Sequence, residues 1–218
     1  MKTKNLFVVI VFIMAGSSKA QVIDSVKVNH EIVFDFTGMQ TPILTKNFYG
    51  ISIDLKGYVY PKWATGLNFS YSQKIINNKF QYSMGTPIIQ FYEIGWINQF
   101  DFVQTNKLRM AATLSTGIAI SCLADNDDKI ERRVKSGYIY VPRGIATDNL
   151  FIIEPGFETS YKIFNGNHNP DVYITTKAKY RFAFGGPKYG DIIDFNGSYI
   201  GIGISLIGFA EEKQNKIK

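Results

Sequence analysis

Val172-Tyr-Ile-Thr-Thr-Lys-Ala-Lys-Tyr-Arg-Phe-Ala-Phe184 divides into two unlike faces. Val172, Ile174, Thr176, Ala178, Tyr180, Phe182 and Phe184 fall on one, Tyr173, Thr175, Lys177, Lys179, Arg181 and Ala183 on the other. Side chains alternate across a strand, so one face is apolar and the other carries a row of three cations. Strict period two over this length exceeds an ordinary strand. It suits a tilted strand crossing a bilayer, which needs about 9–11 residues.

Seven further segments alternate in the same way. Glu31–Thr37 sets Ile32, Phe34 and Phe36 against Glu31 and Asp35. Tyr49–Val59 sets Ile51, Ile53 and Leu55 against Ser52, Asp54 and Lys56. Trp63–Gln73 sets Trp63, Leu67, Phe69 and Tyr71 against Asn68, Ser70 and Ser72. Ile88–Phe102 sets Tyr92, Ile94, Trp96, Phe100 and Phe102 against Glu93, Gln99 and Asp101. Lys107–Ser121 sets Leu108, Met110, Leu114 and Ile118 against Lys107, Arg109, Thr113 and Ser115. Leu150–Phe164 sets Phe151, Ile153, Phe157 and Tyr161 against Glu154, Glu158, Ser160 and Lys162. Ser198–Phe209 sets Ile200, Ile202, Ile204 and Leu206 against Tyr199, Gly201, Gly203 and Ser205. The total is eight strands, an even number, as a closed antiparallel barrel of this kind requires.

The connections expected after the second, fourth and sixth strands are short: 60–62, 103–106 and 165–170. Those after the first, third, fifth and seventh are longer: 38–48, 74–87, 122–149 and 185–197. Short turns at one end and long loops at the other characterise membrane barrels. The expected fold is therefore all-β, an eight-stranded antiparallel up-and-down transmembrane barrel over residues 21–209.

The N-terminus reads as an export signal. Lys2 and Lys4 precede an apolar run from Leu6 to Ala15, and Ser18-Lys19-Ala20 fits a small-x-small cleavage site. Ten apolar residues are too few to span a bilayer. Residues 1–20 hold three lysines and no acid, so the formal charge falls from +6 to +3, 21 bases against 18 acids. That balance gives no ground for nucleic-acid binding. Cys122 is the only cysteine, which excludes an intramolecular disulfide. Residues 210–218 form a charged C-terminal tail.

Aromatics gather near the ends of the apolar stripes, at Tyr49, Trp63, Tyr71, Tyr92, Phe100, Phe151, Tyr161 and Phe184, while the middles are mostly aliphatic. The polar faces are rich in Gly, Ala and Ser. Both features place lipid on the apolar side, with aromatic girdles at the two interfaces. A secreted soluble barrel would instead turn its apolar face inward around a ligand.

The signal, the eight amphipathic strands and the glycine-rich last strand G-S-Y-I-G-I-G-I-S-L-I-G-F resemble the small outer-membrane β-barrel superfamily. The nearest likeness is to the outer-membrane β-barrel domain common in Bacteroidota, which includes the PorT-like group. The resemblance implies residence in a bacterial outer membrane, with lipid as the surrounding partner. The sequence departs from that pattern in continuing past Phe209, where many such barrels finish on an aromatic.

Seven acids are expected in the lumen (Glu31, Asp35, Asp54, Glu93, Asp101, Glu154, Glu158) with seven bases (Lys56, Lys107, Arg109, Lys162, Lys177, Lys179, Arg181). Ten of these form the expected lumen charge network: Asp54, Lys56, Glu93, Arg109, Glu154, Glu158, Lys162, Lys177, Lys179 and Arg181. Glu154 and Glu158 on the sixth strand should face Lys177, Lys179 and Arg181 on the seventh, as opposite charges on paired strands do. An interior filled by ion pairs predicts a plugged barrel; a narrow pore for small solutes is the alternative. The chain shows neither a His-x-Ser-Asn stretch nor a Gly-x-Ser-x-Gly elbow, and His30 and His168 are expected at the short-turn end. The reading is therefore non-enzymatic, with no cofactor or metal. Asp125–Glu131, D-N-D-D-K-I-E, lacks the glycine and spacing of a calcium loop. Long loops, including Gly137–Pro142 as a hairpin and Tyr189 and Asp191 as surface residues, are expected to contact a protein or surface partner. An arginine at lipid-facing Ala178 should disrupt the barrel more than one at Thr175.

Overall fold

A computed structural model describes residues 31–77, 80–134, 137–166 and 170–209. Eight strands run in chain order: β1 Glu31–Ile43, β2 Lys46–Tyr60, β3 Trp63–Ile75, β4 Pro87–Gln104, β5 Leu108–Val134, β6 Gly137–Phe164, β7 Asp171–Phe184 and β8 Gly197–Phe209, with a 3-10 turn at Ile192–Phe195 before β8. Each strand pairs antiparallel with its neighbour in sequence, and β8 closes on β1 from Glu31↔Phe209 to Gln40↔Ile200. Closure leaves the barrel wall without an unpaired edge. The expected export signal, the expected C-terminal tail and both histidines lie outside the described residues.

All eight strands point their apolar stripes outward. Ile51, Leu67, Ile94, Ile118, Ile200 and Ile202 are exposed, while Asp54, Asn68, Glu93, Ser115 and Lys177 are buried. Aromatic pairs mark both rims of the outer surface. Trp63 and Phe100 meet edge-on at 6.4 Å near the turn end. Tyr71–Tyr92 at 4.9 Å and Phe151–Phe184 at 6.2 Å lie near the loop end. Inward-facing glycines permit the tight curvature of so small a barrel. A methyl group at Gly203 would sit 1.9 Å from the Phe36 carbonyl oxygen, and one at Gly66 1.9 Å from that of Leu55. Only a residue without Cβ admits such an approach of neighbouring strands.

Two of the expected long connections are not loops. β1 continues to Ile43 and meets β2 through Leu44-Thr45, both at positive φ (49° and 59°). A two-residue turn of this hand matches strand twist but normally uses Asn and Gly. Here tertiary contacts hold it: the Leu44 side chain is buried and its N–H donates to the Asp194 carbonyl at 2.8 Å. The stretch 122–149 is likewise strand. β5 and β6 continue past the barrel as a paired hairpin, from Lys129↔Pro142 to Val134↔Gly137. Its register shifts at Leu123/Ala124 and Asp125/Lys129, the kind of bulge found at barrel rims. Lys107 is a third correction. It lies exposed in the β4–β5 turn, because β5 begins at Leu108.

Candidate functional site

The interior is built in tiers from the turn end to the loop end. At the turn end the Arg109 guanidinium donates to Glu31 Oε2 at 2.8 Å and lies 5.6 Å from the ring centres of both Tyr58 and Tyr173. Lys162 sits at the rim, 2.5 Å from Asp171 Oδ2 and 5.4 Å from the Tyr173 ring centre. Asp171, the first residue of β7, was not among the expected lumen acids. Tyr58 donates to the Asp101 carboxylate, and Gln99 Nε2 reaches the other oxygen at 2.7 Å.

The middle tier is fully buried. Lys56 Nζ lies 2.8 Å from Asp35, 2.9 Å from Glu158 and 2.5 Å from Gln99 Oε1. Lys177 Nζ lies 2.8 Å from Asp35 and 2.6 Å from Asp54. Asn68 donates to the free side of Asp54. Asp35, Asp54 and Glu158 thus converge with two ammonium groups among them, and cations already belonging to the chain supply the countercharge. The gap nearest this tier, between Gln99, Arg109 and Glu158, holds about 10 Å³. That is the lower bound for one water.

Above it, Lys179 lies 3.8 Å from Glu154, 3.3 Å from Ser115 Oγ and 5.4 Å from the Tyr199 ring centre. Arg181 lies 3.1 Å from Glu93, donates to Thr41, and stacks 4.6 Å above the Phe91 ring. Ser70 donates to Glu93.

All ten residues of the expected network line the interior or its turn-end rim, but the pairing differs from neighbour-to-neighbour opposition. Glu158 stands directly opposite Lys177 in register, yet those groups are 3.7 Å apart, while Lys56 reaches Glu158 across the lumen at 2.9 Å. Arg181 is 3.6 Å from Glu154 on the adjacent strand and 3.1 Å from Glu93 on β4. The ammonium and guanidinium groups sit on long stems, so they meet partners near the barrel axis more easily than partners beside their own Cβ. Nor is the count even. Six of the expected lumen acids are buried (Asp35, Asp54, Glu93, Asp101, Glu154, Glu158) against four of the expected bases (Lys56, Lys177, Lys179, Arg181), and Asp125 and Asp148 are buried nearer the loop end. Neutral donors from Tyr58, Gln99, Asn68 and Ser70 serve oxygens of Asp101, Asp54 and Glu93, while Asp35 Oδ1 is buried without a hydrogen-bond partner.

Charge pattern gave no sign of the loop-end tier, which is apolar. Phe48, Phe91, Ala119, Leu123, Leu150 and Phe195 form one buried cluster under the last loop, with Phe80, Tyr82 and Met84 of the third connection packed against it. Tyr189, expected on the surface, is 4 % exposed and donates to Ser121 Oγ at 2.7 Å. Its burial raises the phenol pKa, so it stays a neutral donor. Asp191 is exposed. The last loop is fixed at both ends, by Lys188 N–H to Asp148 at 2.8 Å and Ala183 N–H to Asn196 Oδ1 at 2.7 Å.

The acidic run in the fifth connection has a structural use. Asp125 accepts backbone N–H groups of Gly85 at 2.8 Å, Thr86 at 3.1 Å and Asp127 at 3.0 Å, which tie the third connection to β5. Hydrogen bonds from Gly85, Asp127 and Thr86 hold its carboxyl below the usual range. Cys122 lies on β5 with its sulfur 3.7 Å from Thr147 Oγ1.

No protein-family model matches the sequence, and no curated protein matches it. Among solved structures, the chain is similar in fold to Ail, the attachment invasion locus protein of Yersinia pestis, solved with the heparin analogue sucrose octasulfate. The identity is 12 %, with 83 % of this chain and 100 % of that chain covered and a TM-score of 0.45. It is similar to Neisserial surface protein A at 11 % identity, with 82 % and 96 % covered and a TM-score of 0.48. A third similarity is to the N-terminal β-barrel domain of Pseudomonas aeruginosa OprF, at 12 % identity, with 82 % and 99 % covered and a TM-score of 0.40.

Proposed function

We propose that this chain is a non-enzymatic bacterial outer-membrane barrel, exported by its N-terminal signal. In this reading the barrel is an anchor and the β5–β6 hairpin displays a contact surface on the cell exterior. The observation that carries it is the inside-out distribution of side chains: the apolar stripes of all eight strands face out, and the buried charges face a filled interior. A soluble ligand-binding barrel would need the reverse. A passive pore would need a continuous wet path, whereas ion pairs and an apolar cap occupy successive levels of this lumen. We place the long-loop end outside the cell, as in barrels with short periplasmic turns. The glycine-rich last strand supports kinship with the Bacteroidota barrel domains.

Two measurements test this. The protein should stay with membranes through carbonate washing, and release by the wash would end the membrane reading. Planar-bilayer recording should show no steady ion-selective conductance from the wild type; steady conductance would overturn the closed lumen.

A further inference from the structure

Beyond Asp125, the last β5 residue paired with β4, the hairpin has no wall partner on that side, and β6 gains β7 only from Phe151. The paired part, Lys129–Val134 with Gly137–Pro142, runs about 20 Å along the strand. At a tilt of about 45° it rises about 14 Å. A headgroup layer is about 5–8 Å thick. The tip therefore stands clear of the lipid of its own membrane.

Its chemistry is one-sided. Residues 129–143 contain five bases (Lys129, Arg132, Arg133, Lys135, Arg143) and one acid, Glu131. Arg143 pairs with Asp128 at 3.1 Å, and Tyr140 donates to Glu131 at 3.4 Å. No ion pair among the described residues takes up Lys129, Arg132 or Arg133, all of which are exposed. Register places Lys129, Glu131 and Arg133 on the same ribbon face as Pro142, Tyr140 and Tyr138. Tyr138 and Tyr140 are 61 % and 68 % exposed. Alternate residues on this face repeat at about 7 Å. The result is a flat face on which Lys129 and Arg133 flank the tyrosine-bonded Glu131 beside two aromatic rings. Such a ribbon suits an extended polymer whose sugar rings stack on the tyrosines and whose acidic groups meet the cations. The same positive charge repels edge-to-edge pairing with a second copy.

Resting on the display function proposed above, we infer that the β5–β6 hairpin binds anionic polysaccharide, with Lys129 and Arg133 supplying charge and Tyr138 and Tyr140 the stacking surface. The test uses full-length mature protein in nanodiscs of zwitterionic lipid, read by biolayer interferometry on immobilised dextran sulfate, with neutral dextran as the blank. Wild-type protein should bind dextran sulfate, and more weakly as salt rises from about 50 to about 500 mM. The double variant Lys129→Glu/Arg133→Glu should bind about 30-fold more weakly. Tyr138→Ser/Tyr140→Ser should weaken binding at every salt concentration, with the salt slope unchanged. The inference falls if wild type prefers neither polymer, if the charge reversal binds as well as wild type, or if only phosphatidylglycerol vesicles capture the protein. A variant with residues 126–146 replaced by a short turn separates this from the display reading. If attachment of expressing cells is lost with the hairpin but unaffected by the charge reversal, the polysaccharide inference fails and display stands. If attachment survives both changes, both fail.

Discussion

On the turn side of Arg181 the barrel is filled by carboxylates, ammonium groups and neutral donors. On the loop side of the same residue it is filled by Phe91, Phe195, Leu123 and Tyr189. The two fillings differ in what holds them. The ionic tier hangs from the barrel wall itself, on β1, β2, β4, β6 and β7, so it cannot leave while the strands stay paired. The apolar cap is shared: Phe48, Phe91, Leu123 and Leu150 sit on the wall, while Tyr189, Phe195, Phe80, Tyr82 and Met84 belong to connections that enter the mouth and could undock with the wall intact. One molecule thus joins an interior whose disruption is global to one whose disruption is local.

The largest expected effect comes from breaking the ionic side. Lys177→Met leaves Asp35, Asp54 and Glu158 sharing the single ammonium of Lys56. Uncompensated buried charge should cost about 3–5 kcal/mol. The measurement is the urea midpoint of the barrel in detergent micelles, with Lys177→Met/Asp54→Asn expected to recover part of the loss. Equal stability of Lys177→Met and wild type would mean that the middle tier is not held by charge.

An arginine at Ala178, next to Lys177 but on the outer face, should cost about 2–4 kcal/mol if it lies near the bilayer midplane. The same variant in a soluble barrel would be nearly silent, so the measurement also tests the membrane reading. Thr175 is no longer a tolerant control for it. Thr175 is fully buried and hydrogen-bonded to Ser160 at 2.8 Å and to Ser205, leaving no room for a guanidinium. A suitable control is Thr176→Ser, on the outer face beside Ala178.

The sequence made the ionic side legible and the apolar side invisible, for a physical reason. Period-two alternation reports which face a residue occupies, and that was enough to place Asp54, Lys56, Glu93, Glu154 and the three cations of β7 inside. It does not report reach, so the partners of Lys56 and Arg181 across the lumen could not be read from neighbouring strands. Tyr189 and Phe195 carry no periodic signal, because they sit in an irregular connection whose course is set by contacts with the barrel mouth. Leu44-Thr45 hid its turn for a similar reason. Tertiary packing there offsets a left-handed backbone that costs about 1–2 kcal/mol per residue. The extension of β5 through D-N-D-D-K-I-E was missed because that run looks like a solvated loop, while bulges carry the strand past it.

Against that background, emptying the cap should do less than its size suggests. Phe195→Ala/Tyr189→Ala removes two large buried side chains, and in a rigid core each would cost about 3–5 kcal/mol. Here the expected global loss is about 1 kcal/mol, because the loop can undock while the strands remain paired. Hydrogen exchange should show protection lost at 185–196 and retained in β7. On the proposed closed lumen, with the ionic tier as its seal, the variant should still conduct no ions. Exchange that speeds up equally in β7 would show that the cap and the wall unfold together.

The smallest effect concerns how the cap is tied down, and it depends on pH. Asp125 is held below the usual carboxylate range by the N–H groups of Gly85, Asp127 and Thr86. A carboxyl with a depressed folded pKa contributes stability above its unfolded value, and that contribution is lost as pH falls through the folded value. The tie between the third connection and β5 should therefore hold unchanged from neutral pH down to about 4, the ordinary Asp value, and weaken below it. The readout is the nuclear magnetic resonance shift of the Gly85 and Thr86 amides, compared with Asp125→Asn. In that variant the carboxamide oxygen still accepts but its nitrogen cannot, so part of the tie is absent at every pH. The low-pH step should vanish from these amides. A step that persists in Asp125→Asn would assign the titration to another group, and the loop-end tie would then be indifferent to this carboxylate.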